Sequence, residues 1–165
     1  MSQDLAATNV EGIVVAPVTI RAMAKLQLTR ELSLSPDDAW AHASDLGSLG
    51  DWLVMHEGWR SELPDEITVG TRIVGVAGAK GMRNRVTWTV KRFDPPSQLE
   101  VAGAGVGGTK YGLAMKVTPT AKGCAFAVTL ELGGPPLFGP IGAVAARAVK
   151  GDIERSVQQF EKLYA

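Results

Sequence analysis

The chain has one cysteine, Cys124, and two histidines, His42 and His56, among its 165 residues. A lone thiol closes no disulfide within the chain, so no disulfide framework is built, which suits a reducing compartment. Two histidines and one cysteine show no zinc spacing, and the scattered acids form no calcium loop, so no metal site is expected. Glycine-flanked serine elbows, His-Glu-x-x-His and phosphate-loop motifs are missing as well, which removes the familiar hydrolase, metalloprotease and nucleoside-triphosphate signatures. Charge of one sign is also lacking. Seventeen basic residues balance seventeen acidic ones, which leaves no overall field for nucleic acid or an anionic membrane. The apolar stretch GIVVAPVTI is too short, and too interrupted by Pro17, for a span or a signal core, and MSQDLAATN carries an acid where a signal peptide carries base. These absences point to a cytoplasmic protein without stable membrane insertion. Residues 1–22 read as a flexible or extended segment and 23–165 as one domain, a size that buries roughly 70% of its unfolded surface.

Glycine, by contrast, is plentiful, and at 103–108 it spells GAGVGG, the G-x-G-x-x-G pattern of a dinucleotide-binding turn. Such a turn needs a helix opening on its last glycine, so that free N–H groups and the helix dipole meet the phosphates. The next residues are TKYGLAMKVT, with Tyr111, Leu113, Met115 and Val117 at every second position and Pro119 closing the run. That is a strand period. The motif is therefore expected to be a hairpin, with strands over 98–105 and 109–118 and a turn at Gly107 and Gly108, and no cofactor is expected. Glycine inside a strand marks a bulge, a bend or a close approach to the backbone.

The rest of the chain divides cleanly. KLQLTRELSL places Leu26, Leu28, Leu32 and Leu34 on one face of a first strand. Ser35 then caps a helix with Pro36 at its first position, and two short helices fit between 36 and 53, divided near 45–50. Strands are expected over about 57–62, 71–78, 82–93, 98–105, 109–118 and 123–132, joined by turns short enough to force antiparallel pairing. Cys124 takes an alternating strand position and reads as a small core hydrophobe. After GGPPLFGP, the run from Ile141 to Tyr164 has no proline, enough for roughly 36 Å of helix.

This α+β order of one strand, two short helices, six strands and a long helix resembles the helix-grip fold of the START-like or SRPBCC superfamily, also described as birch-pollen-allergen-like. Within it the chain is similar to the bacterial polyketide cyclase/dehydrase-like branch, through LSPDDAWAHASDLGSLGDWL, VGTRIVG, VKRFDPPSQLEV and the terminal helix, over about residues 24–163. The resemblance implies a curved seven-stranded antiparallel sheet wrapped around the long helix, with a cavity between them for a small hydrophobic ligand: a lipid, polyketide or isoprenoid. It implies two further possibilities, a cyclase or dehydratase and a protein-interaction module, since some actinobacterial relatives are labelled toxin components of toxin-antitoxin pairs. In the last case a protein partner is required. The expected assembly is a monomer or weak dimer.

The long helix itself changes character, from GAVAARAV, nearly all small, to Ile153, Val157, Phe160 and Tyr164 at helical spacing. Small side chains leave room. The candidate ligand-binding set is Ile141, Ala145 and Val149 on the helix, with Trp52, Trp88, Tyr111, Leu113, Met115, Phe126 and Val128 opposite. Polar candidates are Arg30, in phase with Leu28 and Leu32 and so either inward or at the sheet edge, and His56, close after Trp52 near the expected mouth. No residue is assigned as catalytic; under the cyclase or dehydratase alternative, Arg30, Tyr111 or His56 would polarise a substrate oxygen while the cavity folds the substrate.

Overall fold

The computed structural model describes residues 24–79, 82–135 and 140–165; the expectation for residues 1–22 lies outside them. Its elements are β1 (Ala24–Leu32), α1 (Pro36–Ala43), α2 (Leu49–Trp52), β2 (His56–Trp59), β3 (Arg72–Ala79), β4 (Met82–Asp94), β5 (Gln98–Ala104), β6 (Lys110–Pro119), β7 (Cys124–Gly133) and α3 (Pro140–Tyr164). The seven strands form one antiparallel sheet in the order β1-β7-β6-β5-β4-β3-β2. Strands β2 to β7 thus run as a meander, and β1 returns to pair with β7, Leu28 opposite Val128. The sheet curls around α3, the helix-grip arrangement.

Local chemistry sets these boundaries. In β1 half-buried and exposed residues alternate along AKLQLTREL, as a sheet with one solvated face requires. Ser35 Oγ accepts the Asp38 N–H at 3.1 Å, and Pro36 stands where the helix needs no donor. Asp45 accepts the Gly47 N–H at 3.1 Å and starts the 3-10 turn Leu46–Ser48 between the two helices. Strand β2 is shorter than expected, and a bulge between His56 and Gly58 shifts its register on β3, so that His56 faces Ala77 while Gly58 and Trp59 face Val76 and Gly75.

The core divides along the length of α3. At the C-terminal half, Phe160 stacks on Phe126 with ring centroids 4.4 Å apart, and Trp52 meets both edge-on at 5.1 and 5.8 Å. These three rings are essentially inaccessible. Helix α2 is tied in beside them: the Val54 N–H donates to Ser156 Oγ at 2.9 Å, and Ser156 Oγ donates to the Asp152 carbonyl at 2.7 Å. His42 stacks on Tyr164 at 3.9 Å and anchors α1 to the end of the same helix. This end of the molecule is solid.

Candidate functional site

The other end is open. Between the N-terminal half of α3 and the sheet lies a cavity of about 670 Å³, within the usual range of small-molecule sites, roughly 300–1,000 Å³. Pro140, Val144, Ala145, Ala148 and Val149 of α3 form one side. The sheet supplies Ile73 and Ala77 from β3, Trp88 and Val90 from β4, Leu99 and Val101 from β5, Leu113 and Met115 from β6, and Leu130 and Leu132 from β7. Leu46, Leu49, Leu53, Met55 and Trp59 close a third side. Two lining residues, Val106 and Val144, are 70% and 52% exposed, so they stand where the cavity meets solvent. Alanine at 145 and 148 keeps the helix from filling the space that larger residues fill farther along.

A few polar groups interrupt this apolar wall. Asn84 Oδ1 accepts the Val106 N–H at 3.1 Å, and Asn84 Nδ2 donates to Tyr111 Oη at 2.8 Å. Arg83 lines the cavity, and its charge is met by Glu57 at 2.7 Å. His56 is buried against Trp59, ring centroids 4.3 Å apart; burial holds its imidazole below the ordinary value of 6.5, toward the neutral form. The cavity therefore presents hydrogen-bonding groups and no unpaired charge among its described residues.

The glycines of GAGVGG build part of this wall. Gly103 lies opposite Trp88 on one side and Tyr111 on the other. A Cβ there would stand 2.6 Å from Val86 Cγ1 and 2.9 Å from the Trp88 ring; its absence lets Trp88 and Tyr111 approach to 5.9 Å between centroids across the intervening strand. A Cβ on Gly105 would stand 2.6 Å from Asn84 Nδ2 and 3.0 Å from Tyr111, so Gly105 leaves the path along which the amide reaches the phenol. Gly107 and Gly108 take φ of 74° and 82° in the turn, a region open to glycine at little cost. The segment after Gly108 is β6. With no helix N-terminus at the last glycine, the motif lacks the phosphate cradle a dinucleotide needs.

Of the sequence candidates, the fold brings His56, Trp88, Tyr111, Leu113, Met115, Ala145 and Val149 together around the cavity. Trp52, Phe126 and Val128 belong instead to the solid part of the core, because Phe126 and Val128 lie nearer the N-terminal end of β7, beneath the large residues of α3. Arg30 does not enter the cavity either: Arg30 Nε pairs with Glu161 Oε1 of α3 at 3.1 Å, both side chains more than a third exposed. The side chain of Ile141 lies outside the described residues. Sequence reasoning missed Asn84, although it shares the inward phase of Val86, Trp88 and Val90. It also missed Leu46, Leu49, Leu53 and Met55, which reach the cavity from α2 and the residues on either side of it. Cys124 is fully buried, and burial raises its thiol pKa, which leaves it an inert core residue.

A curled antiparallel sheet gripping a long helix defines the helix-grip class of birch-pollen-allergen-like folds. The chain belongs to the polyketide cyclase/dehydrase and lipid transport family, which matches residues 23–165. It is 57% identical over 142 residues to Uncharacterized protein Rv1546 of Mycobacterium tuberculosis, covering 86% of this chain and 99% of that protein. It is 43% identical over 143 residues to Toxin Rv0910 of the same organism, covering 87% and 99%. Among solved structures, Ara h 8.0201 superposes with a TM-score of 0.64 at 12% identity, covering 86% of this chain and 97% of that one. TTHA0849 from Thermus thermophilus gives a TM-score of 0.66 at 20% identity, covering 84% and 95%. At these identities the structural likeness establishes the fold alone. Among the described residues no helix is long and apolar enough to cross a membrane.

Proposed function

We propose that the protein binds, and carries within the cytoplasm, a small hydrophobic or amphipathic molecule of the lipid, polyketide or isoprenoid kind. The observation that supports this reading is the apolar cavity of about 670 Å³ between α3 and the sheet. A void of that size is costly to leave dry and empty, because its lining atoms forgo the contacts a filled core would give; a hydrophobic guest recovers them. The family's description, polyketide cyclase/dehydrase and lipid transport, agrees with such a guest. Native mass spectrometry of freshly purified protein is the test. A co-purified hydrophobe, released on denaturation, supports the reading, and protein that emerges bare and takes up no hydrophobic probe removes it.

A second reading, action on a protein partner, is favoured by one observation: a relative 43% identical bears the name of a toxin. Growth arrest on induced expression in a mycobacterial host, relieved by a neighbouring gene product, supports that role. Undisturbed growth at high expression counts against it.

A further inference from the structure

The proton on Tyr111 is fixed in direction by the chain of contacts behind it. A backbone N–H has only a proton to offer, so the contact between the Val106 N–H and Asn84 requires the amide oxygen there, at 3.1 Å. The amide nitrogen must then face Tyr111 Oη, at 2.8 Å. An amide NH₂ only donates, so the phenol oxygen is the acceptor in this contact. Its own proton must therefore be directed elsewhere, and among the described residues no acceptor takes it. Tyr111 lines the cavity.

Accordingly, we propose that the Val106–Asn84–Tyr111 relay makes the Tyr111 hydroxyl a dedicated hydrogen-bond donor, which reads a neutral acceptor, the carbonyl oxygen of a ketone or ester, on an otherwise apolar ligand. The inference rests on the cavity-binding reading above and adds the chemical class of the guest. Anionic heads are disfavoured by the same surroundings, because the nearby Arg83 is already engaged by Glu57 and the wall is otherwise apolar. Gly105 is part of the device, since a side chain there would occupy the position of Asn84 Nδ2.

A matched ligand set tests it: fluorene, 9-fluorenone, 9-fluorenol and fluorene-9-carboxylate, which share a rigid aromatic body and differ at one position. Each is titrated against the protein loaded with the neutral fluorescent hydrophobe N-phenyl-1-naphthylamine. The wild type should bind fluorenone about two- to tenfold more tightly than fluorene, the range of one neutral hydrogen bond, and the carboxylate most weakly. Tyr111→Phe should bring fluorenone down to the level of fluorene while fluorene itself is unchanged. Asn84→Asp is the sharper variant: one carboxylate oxygen still accepts the Val106 N–H, the other accepts the phenol proton, and the phenol oxygen then offers lone pairs to the cavity. Preference should turn from fluorenone to fluorenol. Circular dichroism melts verify that each variant is folded. Equal binding of fluorene and fluorenone by the wild type overturns the relay and leaves the cavity reading intact, as does a fluorenone preference that survives in Tyr111→Phe. A wild type that does not bind the fluorescent hydrophobe at all overturns the cavity reading, and the proposal with it.

Discussion

Replacing Ala145 with phenylalanine distinguishes an open cavity from a filled core. Ala145 lines the cavity from α3 and is half-buried. A space that admits a benzene ring is about 150 Å³, between a fifth and a quarter of the 670 Å³ available, so the added ring has room without displacing the wall. Burying such a ring contributes at most about 1.5–3 kcal/mol, part of it offset by the fixed rotamer. The melting temperature of Ala145→Phe should therefore hold or rise by a few degrees, at about 2–4 °C per kcal/mol for a chain of this size. Affinity for N-phenyl-1-naphthylamine should fall about tenfold or more, since the ring removes contacts worth over about 1.4 kcal/mol. Ala143→Phe, at an exposed position on the same helix, should leave the probe's affinity where it was. In a dense core the Ala145 ring would instead cost about 1–3 kcal/mol. A melting temperature several degrees lower, together with a wild type that takes up no probe, refutes the reasoning.

Gly103→Ala should destabilise by about 1–3 kcal/mol, because its methyl group meets the fully buried Val86 at 2.6 Å and the Trp88 ring at 2.9 Å; urea unfolding without a shift in midpoint contradicts the packing described. Neutral His56 makes stability depend on pH with a definite sign. Burial lowers its pKa below 6.5, so the unfolded chain takes up the proton first on acidification. The stabilisation is complete above pH 6.5 and is lost as pH falls from there toward the lowered folded value. Melting curves of the wild type and His56→Gln across that window should diverge in slope, and parallel curves rule the effect out. Arg30→Met should cost no more than about 1 kcal/mol, as for an exposed ion pair, and leave probe affinity unchanged; weaker probe binding would return Arg30 to the cavity.

Strand period and helix caps made the architecture readable. Ser35 and Pro36, the alternation of Tyr111, Leu113 and Met115, and the proline-free run from Ile141 all lie where they were expected. The site was legible only in part, and the reason is geometric. Alternation tells which face of the sheet a residue occupies, and it puts Trp88, Tyr111 and Leu113 on the face that lines the cavity. It does not tell how far along the gripped helix the residue sits. Phe126 and Val128 share a face with Leu130 and Leu132 on β7, yet only the latter two line the cavity. The difference is what stands opposite: Phe160 stacks on Phe126, while the alanines of α3 share the cavity with Leu130 and Leu132. Height is decided by strand pairing and by the direction in which α3 crosses, and neither is written in a local pattern.

The division of α3 explains how one domain is both firm and open. At one end, Trp52, Phe126, Phe160 and the Ser156 bridge to Val54 build a packed aromatic block, which holds the C-terminal half of the helix against the sheet. The small residues at 145 and 148 can then stand away from the wall, since the helix is already fixed. The same logic applies across the sheet at GAGVGG. A strand ordinarily keeps its neighbours on either side apart with its own side chains. By leaving them out at 103 and 105, β5 and the turn after it let Trp88 reach Tyr111 and let Asn84 hold the phenol from two strands away. The glycine spacing that resembles a cofactor turn is thus the gap through which a polar contact is carried into an apolar wall, and position 105 is fixed by the reach of an asparagine side chain rather than by the geometry of a phosphate.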